Sequence, residues 1–166
     1  MEETILFGNR KDFAIELGFT KQLKKFKLGF WILDQRLGNF KKSGELKYSI
    51  KQYREFVKNK EHFNLELFDK LAPIEIFHYL VGIFLTKEAK GIDLEETQQR
   101  QKFYVFFGDQ FANQTGGFLL LFKKPKVIFI IKRPSDGPID SYEINFDVFC
   151  KVFDEYIEYV TVNRLE

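Results

Sequence analysis

Apolar residues of the first forty positions alternate with polar or small ones in short runs. "TILF" and "DFAIELGF" are apolar and partly alternating, and "FKLGFWIL" places Leu28, Phe30 and Ile32 on one face. Trp31 falls on the other face. A period of two residues is typical of β-strands. The pattern predicts an N-terminal hairpin region of short strands, in which Asp34–Gln35 turns the chain.

The middle of the chain changes to helical spacing. In "ELKYSIKQYREFVKN" apolar residues recur every three or four positions with Lys and Glu between them, which predicts an amphipathic helix. "NLELFDKLAPIEIFHYLVGIFLTK" indicates two helices separated at Pro73, because proline suits the first turn of a helix. The second of these is apolar on nearly every side, so we expect it at the centre of the core.

The last third returns to strand-like runs. After the polar segment "KEAKGIDLEETQQRQ", which indicates a loop or a short solvent-facing helix, come "KFYVFFGD", "GGFLLLFKK" and "KVIFIIKRP". These three runs predict an antiparallel meander. A further strand ends at Ile144, and Asn145 is a suitable N-cap for a final helix. The apolar stripe of that helix consists of Phe146, Phe149, Phe153, Tyr156 and Val160.

The order of the elements is strands, helices, strands, helix, which predicts an α+β fold. We expect an antiparallel sheet, formed by the N-terminal hairpin and the C-terminal meander, with three to four helices packed on it. The length of 166 residues fits a single domain over residues 1–166. Hydrophobic residues at 45% and charged residues at 30% are typical of globular proteins.

Three features bear on the compartment. The start "MEETILFGNRK" has acidic residues where a secretory signal has a basic region. The run "PIEIFHYLVGIFL" contains Glu75 and His78 and is shorter than the roughly 18 apolar residues of a membrane span. The single cysteine, Cys150, fits a reducing compartment. We therefore expect a cytoplasmic protein that does not contact the membrane.

The charges are unevenly distributed, although the formal net charge is only +2. Residues 1–60 contain 14 Lys and Arg against 7 Asp and Glu, whereas residues 134–166 contain 2 against 8. This polarity indicates two faces of opposite potential, which affects the choice of partner more than the fold. An accidental bias of a solvated surface is the alternative.

The residues that usually carry catalysis or bind metal are few. The two histidines, His62 and His78, are not arranged in a metal-binding spacing, and no glycine-rich phosphate loop occurs. A packed core position is expected for His78, and a buried, inert thiol for Cys150. Two groups of carboxylates, Asp93 with Glu95 and Glu96 and Asp154 with Glu155 and Glu158, are the candidates for acid–base catalysis. The second group is expected on the side of its helix away from the aromatic stripe, where charges are solvated. We predict no catalytic residue, no metal ligand and no cofactor.

Nucleic-acid binding is an alternative function for the basic half. "KQLKKFKLGF" and "FKKSGELKYSIK" combine basic and aromatic residues, which could follow a phosphate backbone or stack bases. However, the basic residues are 20 Lys and only 6 Arg, and base recognition depends largely on Arg. The acidic C-terminal part would also repel a long polyanion.

A resemblance is visible in "FGNRKDFAIELGF" followed by "LGFWILDQRLGNF". Together they resemble the N-terminal signature of bacterial immunity proteins from polymorphic-toxin and contact-dependent inhibition systems. The matching residues are Gly8, Phe13, Ala14, Ile15, Glu16, Gly29, Trp31, Gln35, Arg36 and Gly38. The chain departs from the signature at Asp34–Gln35, where a glycine is expected.

The resemblance implies a small cytoplasmic protein without enzymatic activity that binds and blocks a cognate toxin domain. Many such toxins are nucleases with basic clefts, and an acidic face would steer association and occlude the cleft. The candidate toxin-binding residues are Asp93, Glu95, Glu96, Asp154, Glu155 and Glu158. The alternative, in which the basic N-terminal half binds an acidic toxin, remains open.

The signature residues Gly8, Phe13, Glu16, Gly29, Trp31 and Gly38 are expected to have structural roles. Trp31 should pack on one face of the first sheet, with Phe30 and Ile32 on the other. Gly29 and Gly38 would leave room beside these large rings.

Overall fold

The order of strands and helices gives an α+β fold, as predicted. The computed structural model describes residues 3–22, 24–64, 66–85, 94–112, 117–132 and 137–165. Its strands are β1 (Thr4–Gly8), β2 (Phe13–Phe19), β3 (Phe26–Ile32), β4 (Gln35–Leu37), β5 (Gly117–Lys123), β6 (Lys126–Lys132) and β7 (Ile139–Asn145). Its α-helices are α1 (Lys47–Lys58), α2 (Pro73–Leu85), α3 (Leu94–Gln101), α4 (Asp109–Ala112) and α5 (Phe146–Val162). Two short 3-10 helices, Lys60–Phe63 and Glu66–Asp69, connect α1 to α2.

The first sheet is antiparallel, with the strand order β1-β2-β3-β4. Phe13 pairs with Ile32, and Ile15 pairs with Phe30. Because paired residues share a face, the large apolar side chains of β2 and β3 form one buried surface. We call this surface the inner face of the first sheet, and the opposite one, which bears Trp31, its outer face.

The turn between β3 and β4 lies one residue earlier than predicted. Ile32 pairs with Gln35, so the turn consists of Leu33 and Asp34, and the predicted turn at Asp34–Gln35 is wrong. Both turn residues have left-handed backbones, with φ of 50° and 62°. Two left-handed residues are typical of the tight turn that matches the twist of a hairpin, and this turn usually contains Asn or Gly. Here Leu and Asp adopt it without glycine.

The second sheet has the strand order β5-β6-β7 and is also antiparallel. The predicted strand in "KFYVFFGD" is wrong, because Tyr104 forms only an isolated bridge to Leu119. Phe103, Val105 and Phe107 are buried while the residues between them are exposed. Burial therefore alternates along this segment as in a strand, although the segment does not form a ladder of backbone hydrogen bonds with a neighbouring strand. The meander's third strand is instead β7, which was predicted as a separate strand.

Helix α5 connects the two sheets. Asn145 caps it as predicted, since its Oδ1 accepts hydrogen bonds from the backbone N–H groups of Asp147 (2.8 Å) and Val148 (3.3 Å). Phe149 of α5 lies 5.4 Å from the ring of Phe13 in the first sheet and 5.9 Å from that of Phe129 in the second. The aromatic stripe of α5 therefore packs against the inner faces of both sheets.

Helix α2 lies on the other side of the second sheet. Ile76 of α2 lines a cavity of about 330 Å³ together with Ile128 and Ile130, which point away from the face of Phe129. The expectation that α2 is central in the core is wrong, because Ile74 is 52% exposed and His78 is exposed as well.

The left-handed conformation of Leu33 in the turn between β3 and β4 can be tested by measuring the stability of variants. We expect Leu33→Asn to raise the free energy of unfolding by about 0.5–1 kcal/mol, because Asn tolerates a left-handed backbone. Leu33→Ala is the matched control, since it shortens the exposed side chain but keeps the strain. Denaturant unfolding followed by the fluorescence of the single Trp measures both. Equal stability of the two variants would contradict the role of the backbone conformation.

Candidate protein-binding surfaces

A polar and aromatic cluster lies on the outer face of the first sheet. Strand alternation places Glu16, Trp31 and Arg36 side by side there, on β2, β3 and β4. Trp31 Nε1 donates a hydrogen bond to Glu16 Oε2 at 2.7 Å, and Arg36 Nη2 lies 3.0 Å from the same oxygen as an ion pair. Glu16 is 8% exposed, so this buried carboxylate is balanced by two partners.

Cations and rings alternate across this cluster. The guanidinium carbon of Arg10 lies 4.2 Å from the centre of the Trp31 ring, and that of Arg36 lies 3.8 Å from the centre of the Phe40 ring. These distances are typical of cation–π contacts. We call the five residues Arg10, Glu16, Trp31, Arg36 and Phe40 the outer-face cluster.

Gly29 makes room for the outer-face cluster, and Gly38 makes room for a ring of the core. A Cβ on Gly29 would lie 3.4 Å from Arg36 Nε and 3.6 Å from the Phe40 ring. Gly38, after β4, has a φ of 102°, and a Cβ there would lie 3.1 Å from the Phe111 ring. A side chain at Gly38 would therefore be strained and crowded. Of the other signature residues, Phe13 is buried between both sheets and α5, and Gly8 ends β1 beside Val152.

The cluster bears on the nucleic-acid alternative. Phe40 and Trp31 are the aromatic residues that the basic N-terminal half offers on this face. Base stacking requires an accessible ring face. Since Arg10 and Arg36 already lie over these rings, a base would have to displace a guanidinium group. The outer-face cluster is therefore poorly suited to base stacking.

The acidic candidates on α5 form one exposed group. Asp154, Glu155 and Glu158, here called the acidic stripe, are all exposed. Asp154 Oδ1 accepts a hydrogen bond from the hydroxyl of Tyr53 on α1, at 2.8 Å. Within the described residues, Glu155 and Glu158 form neither an ion pair nor a side-chain hydrogen bond. The stripe therefore combines one fixed carboxylate with two free ones.

The remaining acidic candidates do not join this stripe. Glu95 and Glu96 are exposed on α3, and Asp93 lies outside the described residues. Glu96 forms an ion pair with Arg100. The Nη1 group of Arg100 also donates a hydrogen bond to the carbonyl oxygen of Tyr79 on α2, at 2.8 Å. Helix α3 thus packs on α2, on the opposite side of the second sheet from α5. The structure thus separates Glu95 and Glu96 from the three acidic candidates on α5.

The hydrogen bond between Tyr53 and Asp154, and the places of Arg10 and Phe40 in the outer-face cluster, could not be predicted from sequence patterns. The helical spacing of α1 includes Tyr53 but does not show that its hydroxyl donates a hydrogen bond to Asp154, 101 positions away. Arg10 and Phe40 belong to loops and carry no periodic signal. An exposed basic row on α1, at Lys47, Lys51, Arg54 and Lys58, follows helical spacing and was readable from the sequence.

The reactive side chains are not assembled for catalysis in the part of the chain that the structure describes. His62 and His78 are both exposed, so the expected core position of His78 is wrong. Burial raises the pKa of the Cys150 thiol, which is half-buried and therefore weakly nucleophilic near neutral pH. Burial, together with the hydrogen bond to Asp154, raises the pKa of Tyr53, so its hydroxyl stays a proton donor. No group of three or more potential metal ligands occurs among the described residues.

The described residues form an α+β fold with charged, exposed surfaces. A model of the family "Immunity protein 42" matches residues 5–159, and the chain belongs to this family. The protein is therefore a toxin inhibitor and not an enzyme, and it binds and neutralises a cognate toxin protein. The predicted class of immunity proteins is confirmed.

A solved structure gives a second comparison. The chain is similar to CdiI from Burkholderia dolosa AUO158, with a TM-score of 0.61 and 12% sequence identity, over 93% of this chain and 99% of that one. At this identity the likeness shows the fold. No curated protein sequence matches the chain. No helix in the described ranges is long and apolar enough to cross a membrane.

The outer-face cluster predicts a specific loss of stability. Glu16→Gln keeps an acceptor for Trp31 but removes the charge opposite Arg36, so we expect the free energy of unfolding to fall by about 1 kcal/mol. Glu61→Gln, at an exposed position, is the control and should leave stability unchanged. Thermal and denaturant unfolding measure both variants. If Glu16→Gln were as stable as the control, the ion pair would not contribute to folding.

Proposed function

We propose that the protein neutralises its toxin by covering the active site of the toxin domain with the acidic stripe of α5. The toxin that this surface fits is a nuclease with a basic substrate cleft. The observation that supports this proposal is the exposure of Asp154, Glu155 and Glu158. The carboxylates of Glu155 and Glu158 have no partner in the described part of the chain. These free charges are available to the basic residues of a partner.

Electrostatics supports this proposal in two ways. Opposite charges accelerate encounter, by about 10- to 1,000-fold in favourable cases at low salt. A carboxylate row also resembles a polyanionic substrate in its charge, so it fits a cleft built for nucleic acid. Glu95 and Glu96 are a separate group on this proposal, because α3 and α5 lie on opposite sides of the second sheet.

The rigidity of α5 also supports the proposal. Its buried stripe packs against both sheets, so the exposed side is held in a fixed orientation. A preformed surface loses less conformational entropy on binding than a flexible one. An inhibitor that presents its charges on such a helix can block a cleft without refolding.

Charge reversal tests the surface. We expect the triple variant Asp154→Lys, Glu155→Lys, Glu158→Lys to weaken toxin binding at least about tenfold at low salt and to reduce its salt dependence. The matched control, Glu3→Lys, Glu61→Lys, Glu66→Lys, changes the net charge equally at exposed positions outside α5. Affinity for the purified toxin domain and rescue of growth on co-expression are measured. Unchanged affinity of the α5 variant would refute the acidic stripe as the contact.

Competition tests the mode of inhibition. If the toxin is a nuclease and its active site is covered, a non-cleavable oligonucleotide substrate analogue and the immunity protein should exclude each other from the toxin domain. We expect the apparent Kd of the immunity protein to rise in proportion to the analogue concentration. A stable ternary complex would contradict occlusion.

A further inference from the structure

Two hydroxyl contacts fix α1 against α5 below the acidic stripe. Tyr53 donates to Asp154 at 2.8 Å, and the Ser49 Oγ lies 2.9 Å from the hydroxyl of Tyr156. Ser49 and Tyr156 are fully buried, and Ser49 also donates to the carbonyl of Leu46 at 2.8 Å. These contacts set the register of the two helices, so that one exposed carboxylate always lies beside Tyr53.

Tyr53 itself has little freedom. Its ring is 5% exposed and stacks on that of Phe153, with 4.5 Å between the ring centres and 4° between the planes. A second ring, Phe149, lies 5.8 Å away. The hydroxyl is therefore presented at a fixed place on the edge of the core, and its raised pKa keeps it protonated as a donor.

The three carboxylates of the acidic stripe differ in whether another side chain holds them in place. Asp154 has one oxygen held by the Tyr53 hydroxyl, whereas Glu155 and Glu158 have longer side chains and no partner among the described residues. Ordering a free, rotamer-rich side chain on binding costs more than using one that is already ordered. A held carboxylate is thus suited to a short-range contact, and free ones are suited to long-range attraction.

We infer that Asp154 is the pre-organised anchor of the toxin contact and that Tyr53 is its positioning residue, while Glu155 and Glu158 mainly accelerate association. This inference rests on the proposed function, because it assigns separate tasks within the acidic stripe. The partner group for Asp154 is a cation, with Arg the best match, since a guanidinium group binds the remaining carboxylate oxygen in a directed way.

The inference separates association from dissociation. Tyr53→Phe removes one hydroxyl and keeps the ring stack, and we expect the dissociation rate from the toxin domain to rise about threefold to tenfold with an unchanged association rate. Asp154→Asn should raise the dissociation rate by a larger factor. Glu155→Gln and Glu158→Gln should instead lower the association rate at low salt, with little effect on dissociation. Surface plasmon resonance against the purified toxin domain at several salt concentrations measures both rates.

Two controls distinguish positioning from folding. Tyr48→Phe removes an exposed hydroxyl from the same helix, at a position without a hydrogen bond among the described residues, and should change neither rate. The Tyr53 hydroxyl also lies 3.4 Å from the carbonyl oxygen of Cys150. In the Asp154→Asn background, Tyr53→Phe should therefore have a smaller effect on dissociation than in the wild type, because the carboxylate that Tyr53 positions is absent. Thermal unfolding of each variant shows whether the fold is retained.

The outcomes separate this inference from the proposed function. If Asp154→Asn and Tyr53→Phe alter only the association rate, as Glu155→Gln does, the anchor is refuted while the acidic stripe remains the contact. An equal effect of Tyr53→Phe with and without Asp154→Asn also refutes the positioning role. If none of the four acidic-stripe and Tyr53 variants changes either rate, the proposed surface itself is wrong.

Discussion

The packing of α5 against both sheets is the constraint on which the rest of the structure depends. Phe13 of the first sheet contacts Phe129 of the second and both Phe149 and Phe153 of α5. Each sheet has one large apolar face, and a single helix covers part of both, so the two sheets and the helix share one core. Because rings in a close-packed core cannot turn without opening cavities, the orientation of α5 is fixed.

This orientation decides which residues reach the solvent. The side of α5 opposite its aromatic stripe must be exposed, and the acidic stripe lies there. The outer face of the first sheet points the other way and bears the outer-face cluster. A protein partner that covers one of these surfaces leaves the other accessible, since the core lies between them.

The two surfaces use charge differently. In the outer-face cluster a nearly buried carboxylate is satisfied by Trp31 and Arg36, and the cations lie over rings, so most of the charge is internally compensated. In the acidic stripe Asp154 is held by Tyr53, and the other two carboxylates have no partner among the residues that the structure describes. Uncompensated charge attracts a partner from a distance, which is why the family function of binding a toxin is assigned to the stripe in our proposal.

The sequence by itself determined the fold class, the strands of the first sheet, the cap at Asn145 and the apolar stripe of α5, because periodicity and capping are local properties. It also indicated the family through the N-terminal residues. Only the tertiary structure decided that residues 102–108 are not a paired strand, that the hairpin turns at Leu33–Asp34, and that α2 has an exposed side. Hydrogen-bond partners and burial depend on which elements become neighbours. For the same reason the hydrogen bond between Tyr53 and Asp154, and the separation of Glu95 and Glu96 from α5, could not be read from the chain: residues far apart in sequence meet or part only when the core packs.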